Sequence, residues 1–222
     1  MRFIVECDGP IFDVVGAYYA AHVRAAKESS WARLDQARFF RMMKKEGLTT
    51  HVLPGAPAGK VNEYHRRLAE ALESSDVVRH FAPHEEVKDS LTGLKRFGSI
   101  CLLTLGRDVE TRWAMAEEAG LRGMVESVER LNDDPRRRAG ELKALSKGEA
   151  RGMVVGCSDT LIRAADEAEL FTVGLTCGAC DESRLHRAGA RAVRRDLSAL
   201  AEELRQGAGE LIRLGLPPRP LG

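Results

Sequence analysis

The chain has 222 residues and a nearly balanced charge, with 34 Lys and Arg against 33 Asp and Glu, a formal net charge of +1. This balance excludes a global electrostatic attraction to nucleic acid or an anionic membrane. No apolar stretch approaches the roughly 20 residues of a membrane span. Because the N-terminal residues also lack the pattern of a secretory signal, we expect a cytoplasmic protein with no nucleic-acid or membrane partner.

The first feature in chain order is a short apolar strand that runs into acidic residues. Residues 2–5 are apolar apart from Arg2, Glu6 and Asp8 follow, and Gly9-Pro10 then turns the chain. Since strand side chains alternate between faces, we expect Glu6 and Asp8 to point the same way. Two such carboxylates could hold a cation, attack as a nucleophile or carry a proton, or they could simply be solvated acids at a strand end.

The next elements are helical, and strands and helices then alternate. Helical spacing covers residues 14–46 and resumes from Val61 to Leu72, with a loop at 48–60 between them and a further helix at 85–97. We predict strands at 99–103, 124–128, 152–156, 171–175 and 192–193, and helices at 109–119, through 142–145, at 160–168, at 185–188 and at 197–214. This alternation predicts an α/β fold, with a Rossmann-like parallel sheet, helices on both faces and an all-helical insert after the first strand.

The order of these motifs resembles the haloacid dehalogenase superfamily, most closely its phosphatases and phosphomutases with a helical cap. Residues 6–13 are similar to the opening motif of that family, with Glu6 and Asp8 at its two aspartate positions. Residues 99–104 are similar to its second motif, an apolar strand that ends in Ser or Thr. Residues 152–158 are similar to its fourth motif, which follows another apolar strand.

The resemblance implies that residues 1–13 and 91–222 form the α/β core and that residues 14–90 form a helical cap over the site. It also implies phosphoryl transfer on a small phosphorylated molecule. In that chemistry the first acid attacks phosphorus, the second exchanges a proton, and Mg²⁺ neutralises phosphate charge.

The resemblance assigns roles to individual residues of this chain. Its third motif supplies a cation, which is expected from Arg136, Arg137, Arg138 or Lys143, although arginines on such a turn are often simply solvated. Cap residues that could read a substrate are His22, Lys60, Tyr64 and His65. The implied catalytic residues are Glu6, Asp8, Thr104 and Arg136, the implied substrate-binding residues are Gly9, Thr104, Lys60 and Arg137, and the implied metal ligands are Glu6, Asp8 and Asp159.

The sequence departs from the family pattern at two positions in the implied catalytic machinery. Glu6 stands where the nucleophilic aspartate is expected, and displacing a reacting group by about 1 Å can cost roughly 10²-fold in rate. Cys157 and Leu161 stand where the fourth motif should supply acids for Mg²⁺, a hard cation that prefers oxygen. Asp159 could restore one ligand, or it could cap the helix that begins at Thr160.

These departures favour a protein of phosphatase ancestry whose catalytic motifs are degraded and whose phosphatase activity is weak or absent. Such a protein could bind a protein partner. One alternative is an active phosphomonoester hydrolase that uses Glu6 and a rearranged magnesium site. Another is a thiol-based metal-binding or redox protein that uses Cys7 with Cys157, or the CxxC pair Cys177 and Cys180.

Overall fold

The structure is a computed structural model, and the elements below are given for the residues that it describes. In chain order the strands are β1 (Arg2–Glu6), β2 (Phe12–Asp13), β3 (Ala82–Pro83), β4 (Ser99–Thr104), β5 (Ser127–Arg130), β6 (Gly152–Gly156), β7 (Phe171–Leu175) and β8 (Ala192–Arg194). The helices are α1 (Val15–Glu28), α2 (Gln36–Glu46), α3 (Ala58–Leu72), α4 (Ser75–Val78), α5 (Val87–Lys95), α6 (Val109–Glu118), α7 (Pro135–Leu145), α8 (Asp159–Glu167), α9 (Glu182–Arg187), α10 (Leu197–Arg205) and α11 (Gly209–Arg213). The described residues are 1–29, 33–46, 57–105, 108–146 and 152–216.

Six parallel strands form the central sheet in the order β5-β4-β1-β6-β7-β8. In β1, Phe3 and Val5 belong to one buried cluster and Ile4 belongs to another, as the alternation of strand side chains requires. Both faces of the sheet are therefore covered, which confirms the predicted α/β parallel sheet. Because β1 lies between β4 and β6, the carboxyl ends of these three strands meet at one edge.

The segment between β1 and β4 is mainly helical. Its helices α1 to α4 lie between β2 and β3, which pair antiparallel, with Phe12 opposite Pro83. The predicted boundary at residue 90 falls inside α5, which packs against α10 and β4. The division into core and cap stays a prediction, and residues 48–56 of the predicted loop lie outside the described residues.

Several element boundaries differ from the sequence prediction; α3, for example, begins at Ala58, inside the loop predicted at 48–60. The helical stretch at 14–46 is two helices, because α1 ends at Glu28 and α2 begins at Gln36. The strand predicted at 124–128 begins at Ser127, since Met124 closes a turn onto Leu121. The closing helix is also two helices, because Gly207 (φ +105°) turns the chain through the left-handed region.

No described helix combines the length and apolar composition that crossing a membrane requires.

Candidate functional site

Glu6 ends β1 and reaches sideways to the loop after β6. Its Oε2 accepts hydrogen bonds from the backbone N–H groups of Cys157 (2.7 Å) and Ser158 (3.1 Å), and the residue is 3% exposed. Gly156 makes room for this longer side chain, since a Cβ there would lie 2.8 Å from the same oxygen. The carboxylate at the nucleophile position is therefore already hydrogen-bonded to the backbone of this chain.

Burial raises the pKa of the Glu6 carboxyl from 4.5 to about 7, against the lowering effect of its hydrogen bonds with Ser158 and Cys157. The neighbouring charge of Asp8 adds to the rise. A carboxyl with that pKa is protonated in a large fraction of molecules at neutral pH, and the protonated form is a poor nucleophile.

Asp8 faces a different neighbour from Glu6. Its Oδ1 accepts from Arg112 Nε (3.0 Å) and its Oδ2 from Arg112 Nη2 (3.2 Å), so the guanidinium binds both oxygens. Arg112 lies on α6, is 1% exposed and stands over the Phe81 ring, 4.7 Å from the centroid. Burial lowers the pKa of Arg112, but Asp8 raises it and the net shift is upward. Asp8 and Arg112 therefore form a largely buried ion pair. Because β1 ends at Glu6, the alternation of side chains between the two faces of the sheet does not extend to Asp8. Glu6 and Asp8 therefore have different hydrogen-bond partners.

Gly9 and Thr104 also lie at this edge of the sheet. Gly9 has φ +108°, and a Cβ there would lie 2.2 Å from the Cys157 Sγ, so conformation and space both require glycine. Thr104, the last residue of β4, is fully buried beside the end of β1, where Glu6 pairs with Leu103.

At the fourth-motif positions, Cys157 is tightly packed between two glycines and Leu161 lies in the hydrophobic core. Cys157 lies between Gly9 and Gly178, and its Sγ donates to the Asp8 carbonyl at 3.1 Å. Leu161 is fully buried in the cluster that contains Ile4. Neither residue offers an oxygen ligand.

Asp159 begins α8 but does not cap it. Ser158 is the N-cap, with its Oγ accepting from the N–H of Leu161, so the expectation of an Asp159 cap was wrong. Asp159 instead forms an ion pair with Arg184 of α9, at 2.8 Å from Nη2 and 3.0 Å from Nε.

The basic residues predicted to bind phosphate lie near helix starts, except Lys143, which lies in the last turn of α7 and pairs with Glu169. Arg136 and Arg137 are exposed in the first turn of α7, and Arg138 donates to the Asn132 and Asp133 carbonyls. Lys60 is exposed on α3 and forms an ion pair with Glu63. Their roles stay predictions.

Three of the predicted cap residues belong to the packing of the helical segment. His22 is fully buried, its Nε2 accepts from the Leu34 N–H and its Nδ1 lies 2.7 Å from the Tyr64 hydroxyl. Nε2 is therefore unprotonated and Nδ1 donates, and burial lowers the pKa of His22 to about 4. His65 lies beside Tyr64, with its ring 5.8 Å away. In α1, burial and then the charge of Asp8 raise the pKa of Tyr18.

The donor set does not fit Mg²⁺. Among the described residues, no three His, Cys, Asp or Glu side chains converge in a way that could hold a metal. Asp8 and Asp159 each pair with an arginine, and Cys157 replaces an expected acid. An octahedral, oxygen-preferring cation lacks suitable ligands in this arrangement.

The thiols near the site are held protonated. Burial raises the pKa of Cys177 and of Cys180 to about 12, and raises the pKa of Cys7 and of Cys157 well above 9. A protonated thiol is a weak nucleophile and a weak metal ligand.

Sequence reasoning missed Arg112, Arg184 and His84. The Nε2 of His84 donates to the Gly9 carbonyl at 2.7 Å. For Arg112 a signal existed, because it shares the buried face of α6 with Ala116 and a charge on such a face needs a partner. Neither Arg184 nor His84 stands out in the sequence.

An open cleft of about 840 Å³ lies between α3 and the loops that follow β4 and β5. Arg66 is the one cation among the described residues of its lining, and it pairs with Glu70. The acids of the lining are Glu70, Glu73, Asp108, Glu110 and Asp133.

Solved structures similar to this chain include hydrolases, phosphatases and phosphoglucomutases. A haloacid dehalogenase-like hydrolase from Streptococcus pneumoniae matches with a TM-score of 0.72 at 13% identity, over 91% of this chain and 97% of its own. A predicted phosphatase from Clostridium acetobutylicum matches with a TM-score of 0.70 at 11% identity, over 92% and 98%. A candidate beta-phosphoglucomutase from Thermotoga maritima matches with a TM-score of 0.60 at 20% identity, over 92% and 98%.

These matches show that the chain has a haloacid dehalogenase-like fold, which confirms the fold that the resemblance implied. At such identities the likeness concerns the fold alone. No family model matches the sequence, and no curated protein matches it significantly.

Proposed function

We propose that this chain keeps the phosphatase fold without metal-dependent phosphoryl transfer and is a pseudoenzyme. The ion pair between Asp8 and Arg112 carries the proposal, because both carboxylate oxygens are bound by one buried guanidinium. Turning Asp8 towards a cation or a leaving group would break that pair. Breaking a buried ion pair costs about 3–5 kcal/mol.

The other positions of the implied machinery support the same proposal. Glu6 is hydrogen-bonded to the backbone and has a pKa of about 7, so it is a poor nucleophile at neutral pH. Asp159, which a rearranged magnesium site would need, is paired with Arg184. The Mg²⁺ that the resemblance implies would find a thiol at Cys157 and a buried methyl group at Leu161.

The cleft between α3 and the core loops disfavours the small phosphorylated ligand that the sequence predicted. Among the residues that the structure describes, five acids and one arginine line this cleft. An anion that enters it meets like charge in a partly enclosed space, where electrostatic repulsion is stronger than in open water.

A phosphatase assay on small phosphomonoesters tests the proposal. We expect the folded protein with Mg²⁺, Mn²⁺ or Co²⁺ to hydrolyse no more substrate than its Asp8→Asn variant. We expect Glu6→Asp to give no activity either, because Cys157 and Leu161 still leave the cation without ligands. Metal-dependent turnover that disappears in Asp8→Asn would contradict the proposal.

A further inference from the structure

The carboxyl end of α2 is held by the core. The last four carbonyls of an α-helix have no partner within the helix. Two of these carbonyls in α2 accept from outside it: Met43 from Arg184 Nη1 at 2.9 Å and Lys44 from the Asp181 N–H at 3.1 Å. The Lys44 ammonium in turn donates to the Thr176 carbonyl at 3.2 Å.

Arg184 is fixed in place by groups of the core. Asp181 caps α9 by accepting from the Arg184 N–H at 2.9 Å, which sets the backbone, and Asp159 accepts from the guanidinium. The Arg184 side chain is 17% exposed. One guanidinium therefore joins the first residue of α8 to the end of α2.

A second set of contacts fixes the other end of the helical segment. Arg112 stands over Phe81, just before β3, while it binds Asp8. His84, just after β3, donates to the Gly9 carbonyl. The return of the chain from the segment to the core is thus held against the loop that follows β1.

We propose that Arg184 latches the carboxyl end of α2 to α8 and α9, so that α2 stays attached to the core in the absence of a ligand. A helix end whose carbonyls are satisfied by the core loses those bonds when the segment moves away. Opening therefore leaves polar groups without their partners, which is unfavourable unless water replaces them. The latch goes beyond the proposed function, because it holds whether or not the site turns over a phosphate ester.

Amide hydrogen exchange of the full chain tests the latch. We expect Arg184→Met, which keeps side-chain length without the hydrogen bonds, to raise exchange in peptides of α2 about tenfold. Peptides of β4 and β6 should keep their protection. The matched control is Arg187→Met, an exposed arginine one turn further along α9 that bonds to Ser183, and it should leave α2 unchanged.

Unchanged exchange of α2 in a folded Arg184→Met protein would overturn the latch, as would an equal rise in Arg187→Met. If Arg184→Met does not fold, Asp159→Asn decides the question by the same readout. Removing the carboxylate charge frees the guanidinium, so a rise confined to α2 and α9 supports the latch. Wild-type protection of α2 in folded Asp159→Asn rejects it.

Discussion

Glu6 contributes a pH dependence of stability whose sign follows from its raised pKa. The folded protein binds a proton at Glu6 up to about pH 7, whereas the unfolded chain releases it near 4.5. The contribution of Glu6 to the stability of the fold is therefore complete below pH 4.5 and is lost as the pH rises through 7. The side chain of Glu6→Gln cannot ionise, so the free energy of unfolding of this variant does not depend on this proton. We predict that the stability of Glu6→Gln relative to wild type increases over this pH interval, by on the order of 3 kcal/mol at the upper end.

Denaturant unfolding of both proteins between about pH 5 and pH 9 measures this difference. Glu118→Gln, on the exposed side of α6, is the control and should track wild type. A difference between Glu6→Gln and wild type that stays constant with pH would contradict the raised pKa.

Arg112 and Asp8 form a pair whose members we expect to be strongly coupled. Arg112→Met leaves the Asp8 carboxylate without its partner, and we predict a loss of about 3–5 kcal/mol in the free energy of unfolding. Adding Asp8→Asn to Arg112→Met should recover part of that loss. A double-mutant cycle measures the coupling.

The exposed pair Arg122 and Glu117 is the control for this cycle, with the Arg122 side chain 74% exposed. Arg122→Met should change stability by less than about 1 kcal/mol. Strictly additive losses at Asp8 and Arg112 would show that the ion pair is not formed in solution.

At the scale of elements, the end of β6 leaves no room for a side chain larger than that of glycine. A methyl group on Gly156 would lie 2.8 Å from both the Glu6 carboxylate and the Leu161 side chain. We predict that Gly156→Ala loses about 1–3 kcal/mol of stability through overpacking. Thermal or denaturant unfolding gives the value.

Gly140, inside α7, provides the opposite case. A Cβ there would have no described atom within 4 Å. Gly140→Ala should therefore gain about 0.5–1 kcal/mol from helix propensity. If Gly156→Ala is as stable as wild type, Glu6 does not occupy the space beside β6.

The sequence predicted the elements of the sheet better than the ends of its helices. The apolar strands at 99–103, 152–156 and 171–175 carry their own signal, because a buried strand needs a run of apolar residues. The break of the last helix depends on Gly207 in a left-handed conformation, and a single glycine in a helical pattern is ambiguous.

At the scale of the whole molecule, the family positions were visible in the sequence and their partners were not. Glu6 and Asp8 are placed by one short motif of neighbouring residues, and Cys157 is placed by another. Arg112 is 104 residues from Asp8, and Arg184 is 25 residues from Asp159. No local pattern encodes such pairs, since they arise when separate helices pack on one sheet.

Arg112 and Arg184 take the place of a metal ion as the positive charges beside two acids of the implied site. In the chemistry that the resemblance implies, a divalent cation would neutralise the acids at the strand ends. Here Arg112 pairs with Asp8 and Arg184 pairs with Asp159, so two of the acids already have a positive partner. A Mg²⁺ ion that binds Asp8 or Asp159 would therefore compete with a guanidinium for the negative charge of that carboxylate.

Calorimetric titration of the folded protein with MgCl₂ tests this claim most directly. We predict that millimolar Mg²⁺ gives only the heat of dilution, in wild type and in Asp8→Asn alike. Saturable binding of one Mg²⁺ ion per chain that disappears in Asp8→Asn would contradict it.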